Sequence, residues 1–164
     1  MRNFSVEQIF EFSLEELFLA RETRYGLERP WPEVRKVKVN SKEETGQKLH
    51  VDRMLFIDPG LPEFISLTLG SPVLKIHEVL TYKKDEGTFK VVVELQFSKS
   101  IVDFQEVTYH NSITDNKSSR RIEASVHSPI PLLGSKLEKM LEDEFKGQSE
   151  KDYNRLIKIM QANE

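Results

Sequence analysis

Residues 127–145 read HSPIPLLGSKLEKMLEDEF, and this stretch decides the fold. Pro129 and Pro131 each remove a backbone donor, so a strand running into them must end there. Gly134 then leads into helix formers that continue from Leu133 to Met160, a span of about 40 Å at 1.5 Å per residue. A helix of that length needs an apolar bed along it, because propensity alone does not hold it. Leu133, Leu137, Met140, Leu141 and Phe145 carry the spacing of one buried face, as do Leu156, Ile159 and Met160 further on. Between them the same face presents Gln148, Ser149 and Asp152, beside Gly147. Two readings compete. One is a local kink or exposed stretch at Gly147, costing about 1 kcal/mol of propensity. The other is room between the helix and whatever it packs on. An empty void of about 500 Å³ would cost on the order of 10 kcal/mol, comparable with the whole stability of a domain. A space of that size therefore opens to water or holds a guest.

The preceding sequence supplies a sheet. Phe4, Val6, Gln8, Phe10 and Phe12 alternate with polar residues, the period of a strand with one buried face. Ser13 with Glu16 three residues later makes a capping box, predicting a short helix to about Ala20. Residues 22–32 read as helix fragment or loop, residues 33–40 as a strand, and residues 42–46 as a polar turn. Further strands are expected at 48–58, 73–83, 88–97, 101–111 and 121–126, with Asp115, Asn116 and Lys117 as the last turn. Between two breakers, PGLPEFISLTLGSP at 59–72 has room for a helical turn or two. Short connections between neighbouring strands imply antiparallel pairing. The expected fold is α+β: a curled antiparallel sheet of six to seven strands around a long C-terminal helix, one domain over residues 1–164.

Some polar residues fall on apolar faces. Arg53 is in line with Leu49, Val51, Leu55 and Ile57, and Glu78 with Leu74, Ile76, Leu80 and Tyr82. If both faces point inward, each charge needs a partner, water or a polar guest; a pair between the two, or a ligand anion on Arg53, would satisfy this. The alternative is that both side chains reach solvent. On the 101–111 strand neither face is cleanly apolar, leaving open whether Glu106 or Tyr109 lines an interior. Phe64, Ile65, Leu67 and Leu69 are core packing, or a mobile lid at the mouth of a cavity. Trp31, between Pro30 and Pro32, is a second candidate for the rim.

Composition narrows the function. The formal charge is −3, from 24 Lys plus Arg against 27 Asp plus Glu, giving no global attraction to nucleic acid. Cysteine is absent, which removes disulfides, thiolate metal sites and thiol nucleophiles. His50, His77, His110 and His127 form no metal-ligand spacing, and neither Gly-Ser pair sits in a nucleophile elbow. No window approaches eighteen apolar residues, and the N-terminus lacks a signal-peptide pattern, so a cytoplasmic location is expected. The apolar 59–72 loop has few basic neighbours, so at most transient membrane contact is expected.

The order of elements, together with HSPIPLLGSKLEKMLEDEF, resembles the START-like superfamily, the SRPBCC-type helix-grip folds. Pro131 to Lys139 resembles the P-L-x-G-x-x-x-E-K ending of an uncharacterised bacterial family of this fold. Asp52 to Leu55, the Pro59–Gly70 turn and loop, and Lys146–Gly147 in the last helix are similar to PRELI-type lipid-transfer proteins. The resemblance implies a cavity between sheet and helix that binds or transfers a hydrophobic small molecule or lipid, its entrance near residues 59–72. Other superfamily members are cyclases and dehydratases, so fold alone leaves catalysis open.

The reading is a carrier rather than an enzyme, with no cofactor or metal and an unknown protein partner. The expected ligand-binding residues are Arg53, Leu55, Phe64, Leu67, Ile76, Glu78, Phe89, Val91, Val93, Leu95, Met140, Leu141, Phe145 and Gln148. A sixteen-carbon chain buried there would gain on the order of 10 kcal/mol before ordering costs, with Arg53 or Glu78 fixing its polar end. One alternative is a cyclase- or hydratase-type enzyme using Glu78 or Glu106 with Tyr109. Another is a protein-interaction module with a filled core.

Overall fold

The computed structural model describes residues 1–26 and 30–164. Strands β1 (Arg2–Phe10), β2 (Val34–Glu44), β3 (Lys48–Ile57), β4 (Leu74–Lys83), β5 (Thr88–Leu95), β6 (Asp103–Thr114) and β7 (Lys117–His127) form one sheet. Their spatial order is β1-β7-β6-β5-β4-β3-β2, and every adjacent pair is antiparallel. The sheet wraps α3 (Gly134–Ala162), while α1 (Leu14–Glu22) and the short α2 (Glu63–Leu69) fill its ends. The α+β helix-grip arrangement expected from the C-terminal stretch is the one observed.

Local chemistry explains the boundaries. The Ser13 hydroxyl accepts the Glu16 amide at 3.1 Å and the Glu16 carboxylate accepts the Ser13 amide at 2.9 Å, closing the capping box that starts α1. Thr23–Tyr25 makes a single 3-10 turn after α1; residues 27–29 of the expected fragment or loop lie outside the described residues. Gly70 ends α2 in the left-handed conformation, at φ 77°.

β2 and β7 run further than their polar sequence suggests, and β6 continues to Thr114 rather than ending at residue 111. β2 continues to Glu44 because it is an edge strand with most side chains in water, where polarity does not oppose pairing. β7 begins at Lys117 rather than Arg121, because its polar start is held inside by specific partners. Ser118 donates to the Phe12 carbonyl at 2.9 Å, and the Arg120 guanidinium donates to Gln8 at 2.7 Å and to Asp152 at 2.6 Å.

The turn from β7 into α3 shows why the stretch quoted above has its sequence. Gly134 packs so closely on Ser128 that a Cβ would drive into the Ser128 carbonyl. Glu138, one turn on, accepts the Ser128 amide at 3.0 Å and pairs with the Met1 amine at 3.2 Å. Between these contacts Leu132 adopts φ 66° and is fully exposed.

The core is in two parts. One gathers Leu55, Leu74, Ile76, Leu95, Phe104 and Val126 around Leu137 and Leu141 of α3. The other gathers Phe10, Leu17, Leu80, Tyr82, Phe89 and Val91 around Leu156 and Met160. The interrupted stripe on the helix is therefore a real division. Gly147 faces solvent with open space around it, so it is not the residue that leaves room.

Candidate ligand-binding cavity

Beside the division lies a buried ionic network that the β3–β4 register assembles. Arg53 is directly opposite Glu78, and both face inward, at 5 % and 2 % exposure. The Arg53 Nε donates to Glu78 at 2.9 Å, and its terminal nitrogen donates to both oxygens of Glu22, at 3.0 and 2.9 Å. Arg21 donates to Glu78 at 3.0 Å and the Tyr25 hydroxyl does so at 2.8 Å. Burial disfavours the Glu78 carboxylate, but Arg21, Arg53 and these hydrogen bonds outweigh it and hold its pKa at about 2. Of the alternatives open for these two charges, burial with mutual pairing is the one observed. Their partners Arg21, Glu22 and Tyr25 were missed, although Arg21 follows Leu14 and Leu17 on the buried face of α1. Every charge in the network has a counterpart, which is the condition for burying it.

Between the two core clusters, α3 and the sheet border a cavity of about 230 Å³ that opens to solvent. Its apolar wall is Ile57, Leu74 and Ile76 on β3 and β4, Val91 and Val93 on β5, Ile122 on β7, and Phe145 on α3. Phe145 is itself fixed by stacking on Phe104, with ring centroids 4.1 Å apart. At the mouth, Trp31 lies between two guanidiniums, those of Arg24 at 4.6 Å and Arg155 at 4.2 Å. Pro59 and Leu61 form the opposite side of the mouth, where Gln148 donates to the Pro59 carbonyl at 3.3 Å.

The other wall is polar. Glu106, Thr108 and His110 alternate along the inner face of β6, and the β6–β7 register places Arg120 against His110. Asp152 of α3 joins Arg120 at 2.6 Å and Arg24 at 2.8 Å; burial opposes its charge, but the two guanidiniums hold its pKa below the usual carboxylate range. Glu106 accepts the Thr108 hydroxyl at 3.0 Å, and burial pushes its carboxyl upward despite that bond. His110 is stacked on Phe89 at 3.8 Å, and its Nδ1 lies 3.3 Å from the Phe89 carbonyl. Burial first, then the nearby Arg120 and Arg21 charges, hold its pKa well below the ordinary histidine value, so the ring is neutral.

Of the expected ligand-binding residues, Ile76, Val91, Val93, Phe145 and Gln148 line this cavity. Arg53 and Glu78 do not; their hydrogen-bonding capacity is taken up by each other and by Glu22, Arg21 and Tyr25. Leu55, Leu95, Met140 and Leu141 pack into the first core cluster, and Phe89 lies behind His110 in the second. Phe64 packs on the first cluster beneath Lys136, and Leu67 points to solvent at 72 % exposure, because α2 turns its other face inward. Tyr109 is on the outer face of the sheet between Lys90 and Arg121, whereas Glu106 is on the inner face. The residues missed are Arg120, Asp152, Thr108 and His110. Among the described residues no group of three or more His, Asp or Glu is placed to hold a metal, and no helix is long and apolar enough to cross a membrane.

Seven antiparallel strands curled on a long terminal helix, with a cavity between, define a helix-grip fold. Solved structures of the same fold include TTHA0849 from Thermus thermophilus, with 12 % identity, coverage of 99 % of both chains and a TM-score of 0.62. The Zhui aromatase/cyclase from Streptomyces sp. R1128 matches with 10 % identity, 98 % and 93 % coverage and a TM-score of 0.63. A START superfamily protein from Mycobacterium smegmatis matches with 10 % identity, 96 % and 98 % coverage and a TM-score of 0.56. At these identities the likeness is one of fold. No curated protein matches the sequence. The chain belongs to the family described as protein of unknown function (DUF2505), whose model matches residues 3–156.

Proposed function

We propose that the protein binds a compact amphipathic molecule, about the size of one or two rings, between α3 and the sheet. The observation that carries this reading is the 230 Å³ cavity with an aliphatic wall facing a buried polar one. Drug-sized pockets run from about 300 to 1,000 Å³, while an apolar cavity of about 150 Å³ already takes up benzene. The size supports a ring-sized guest rather than the long acyl chain implied by the PRELI-type resemblance. Burying about 200 Å² of apolar ligand surface contributes about 5 kcal/mol, a dissociation constant of about 0.2 mM before polar contacts add to it.

Titration with naphthalene, followed by its fluorescence, tests the reading. Saturable one-site binding is expected, reduced at least about tenfold by Val93→Phe, which places a larger side chain in the cavity. Binding that never saturates, or that is indifferent to Val93→Phe, would overturn it.

A second reading is acid–base catalysis in the same cavity. It is favoured by Glu106, a half-buried carboxyl on the lining whose affinity for a proton is raised by burial. In that case Glu106→Gln retains ligand binding and abolishes turnover; turnover that survives the substitution rejects Glu106 as its acid or base.

A further inference from the structure

The polar wall of the cavity has a definite donor–acceptor character. Four guanidiniums reach its lining, and each is already engaged. Arg120 binds Asp152 and Gln8, Arg24 binds Asp152, Arg21 binds Glu22 and Glu78, and Arg155 binds Glu33 at 2.5 Å. A ligand anion at the buried wall would have to break one of these pairs and strand a carboxylate, which is costly there; Lys151, the other cation of the lining, is exposed to water rather than part of that wall.

His110 is different. It lines the cavity and is 1 % exposed. The Phe89 carbonyl can only accept, so the Nδ1 facing it at 3.3 Å carries the proton. Nε2 is then an acceptor, and among the described residues it is the one buried side-chain nitrogen or oxygen with no hydrogen-bond partner. Buried polar groups are ordinarily paired, and one left over next to a cavity marks where a ligand group belongs.

We infer that the ligand is uncharged and carries a hydroxyl, phenolic or alcoholic, that donates to Nε2 of His110, with its ring on the Val91, Val93 and Ile122 side. This rests on the binding function proposed above and makes it specific. Arg53 is thereby replaced as the anchor of the polar end, and an anionic head group is replaced by a neutral one. Selectivity follows from the asymmetry of buried hydrogen bonds: an analogue that lacks the donor leaves Nε2 unpaired in a desolvated site.

The test compares 2-naphthol, 2-methoxynaphthalene, 2-naphthoate and naphthalene on the full chain at neutral pH, by calorimetry or ligand fluorescence. In the unmodified protein, 2-naphthol is expected to bind at least about tenfold more tightly than its methyl ether or the carboxylate. His110→Phe, which preserves a ring on Phe89 but has no acceptor, should erase that preference, bringing the ratio of naphthol to methyl ether affinity to within about twofold of one. Equal affinity for naphthol and its ether, tighter binding of the carboxylate, or a preference lost in Glu106→Gln but kept in His110→Phe would overturn the inference. In those cases naphthalene still binds and the binding function stands. If none of the four probes binds the folded protein, both fall together. The comparison of probes on the unmodified chain does not depend on whether the variant folds.

Discussion

Glu138 accepts a hydrogen bond from the Ser128 amide at 3.0 Å, across the bend that joins the last strand to the long helix. Gly134 presses on the same residue from the first turn of that helix. Two positions four apart thus clamp one serine, and the clamp sets the angle at which α3 crosses the sheet. Gly134→Ala is expected to destabilise the protein by about 1–3 kcal/mol, because the added methyl meets backbone that cannot move aside cheaply. Urea unfolding measures this; a change within about 0.5 kcal/mol would mean the bend is more yielding than its geometry implies.

Leu132 pulls the other way. A leucine at φ 66° carries steric strain of about 1–2 kcal/mol, and its side chain gains nothing in return while fully exposed. Leu132→Gly should relieve that strain, partly offset by the greater freedom of glycine in the unfolded chain. The expected outcome is a net stabilisation of up to about 1 kcal/mol in thermal or urea unfolding. A loss of stability would show that the leucine makes contacts worth more than its strain.

Glu78 anchors two arginines, so Glu78→Gln leaves excess positive charge in a buried place. The expected cost is about 3–5 kcal/mol at pH 7. The pH dependence has a definite sign. The folded pKa, about 2, lies below the ordinary value of 4.5, so the contribution is complete above pH 4.5 and is lost as pH falls toward 2. The glutamine variant should show a flatter stability profile across that window, measured by urea unfolding at a series of pH values.

His110 acts in a higher window with the same sign. Its folded pKa lies well below 6.5, so the unfolded chain takes up a proton that the folded protein refuses. Its contribution is complete above pH 6.5 and declines as the solution is acidified below it. His110→Phe should remove that part of the slope while leaving the part below pH 4.5 in place. An unchanged slope between pH 6.5 and 5 would mean the imidazole is protonated in the folded state.

The architecture was legible because it rests on periodicity and punctuation. The alternation of Leu49, Val51 and Leu55, the Ser13–Glu16 box, and Pro129 and Pro131 before a long run of helix formers each reflect local rules, and tertiary packing agrees with them. That Arg53 and Glu78 are charges on apolar faces was readable for the same reason, but that they pair with each other took the β3–β4 register. The polar wall was harder. Arg120 sits in the polar stretch between the expected turn at 115–117 and the strand expected from Arg121, and only its contact with Asp152, 32 positions away, makes it interior. Asp152 was noted as an interruption of the helix stripe, but nothing local says which strand it meets. His110 shares a strand whose two faces are equally mixed, so its side could not be chosen without the register against Phe89 and Arg120.

Two cores joined by one helix behave differently from one. Leu137 and Leu141 belong to the first, Leu156 and Met160 to the second, and the intervening turns of α3 rest on the rim of a hollow. That middle span meets the sheet through Phe145 on Phe104, the Ser149 carbonyl accepting from Gln8, and Asp152 on Arg120, while Gln148 reaches the loop at Pro59. A guest filling the hollow would give it a floor and couple the two halves mechanically, turning a beam supported at its ends into one supported throughout.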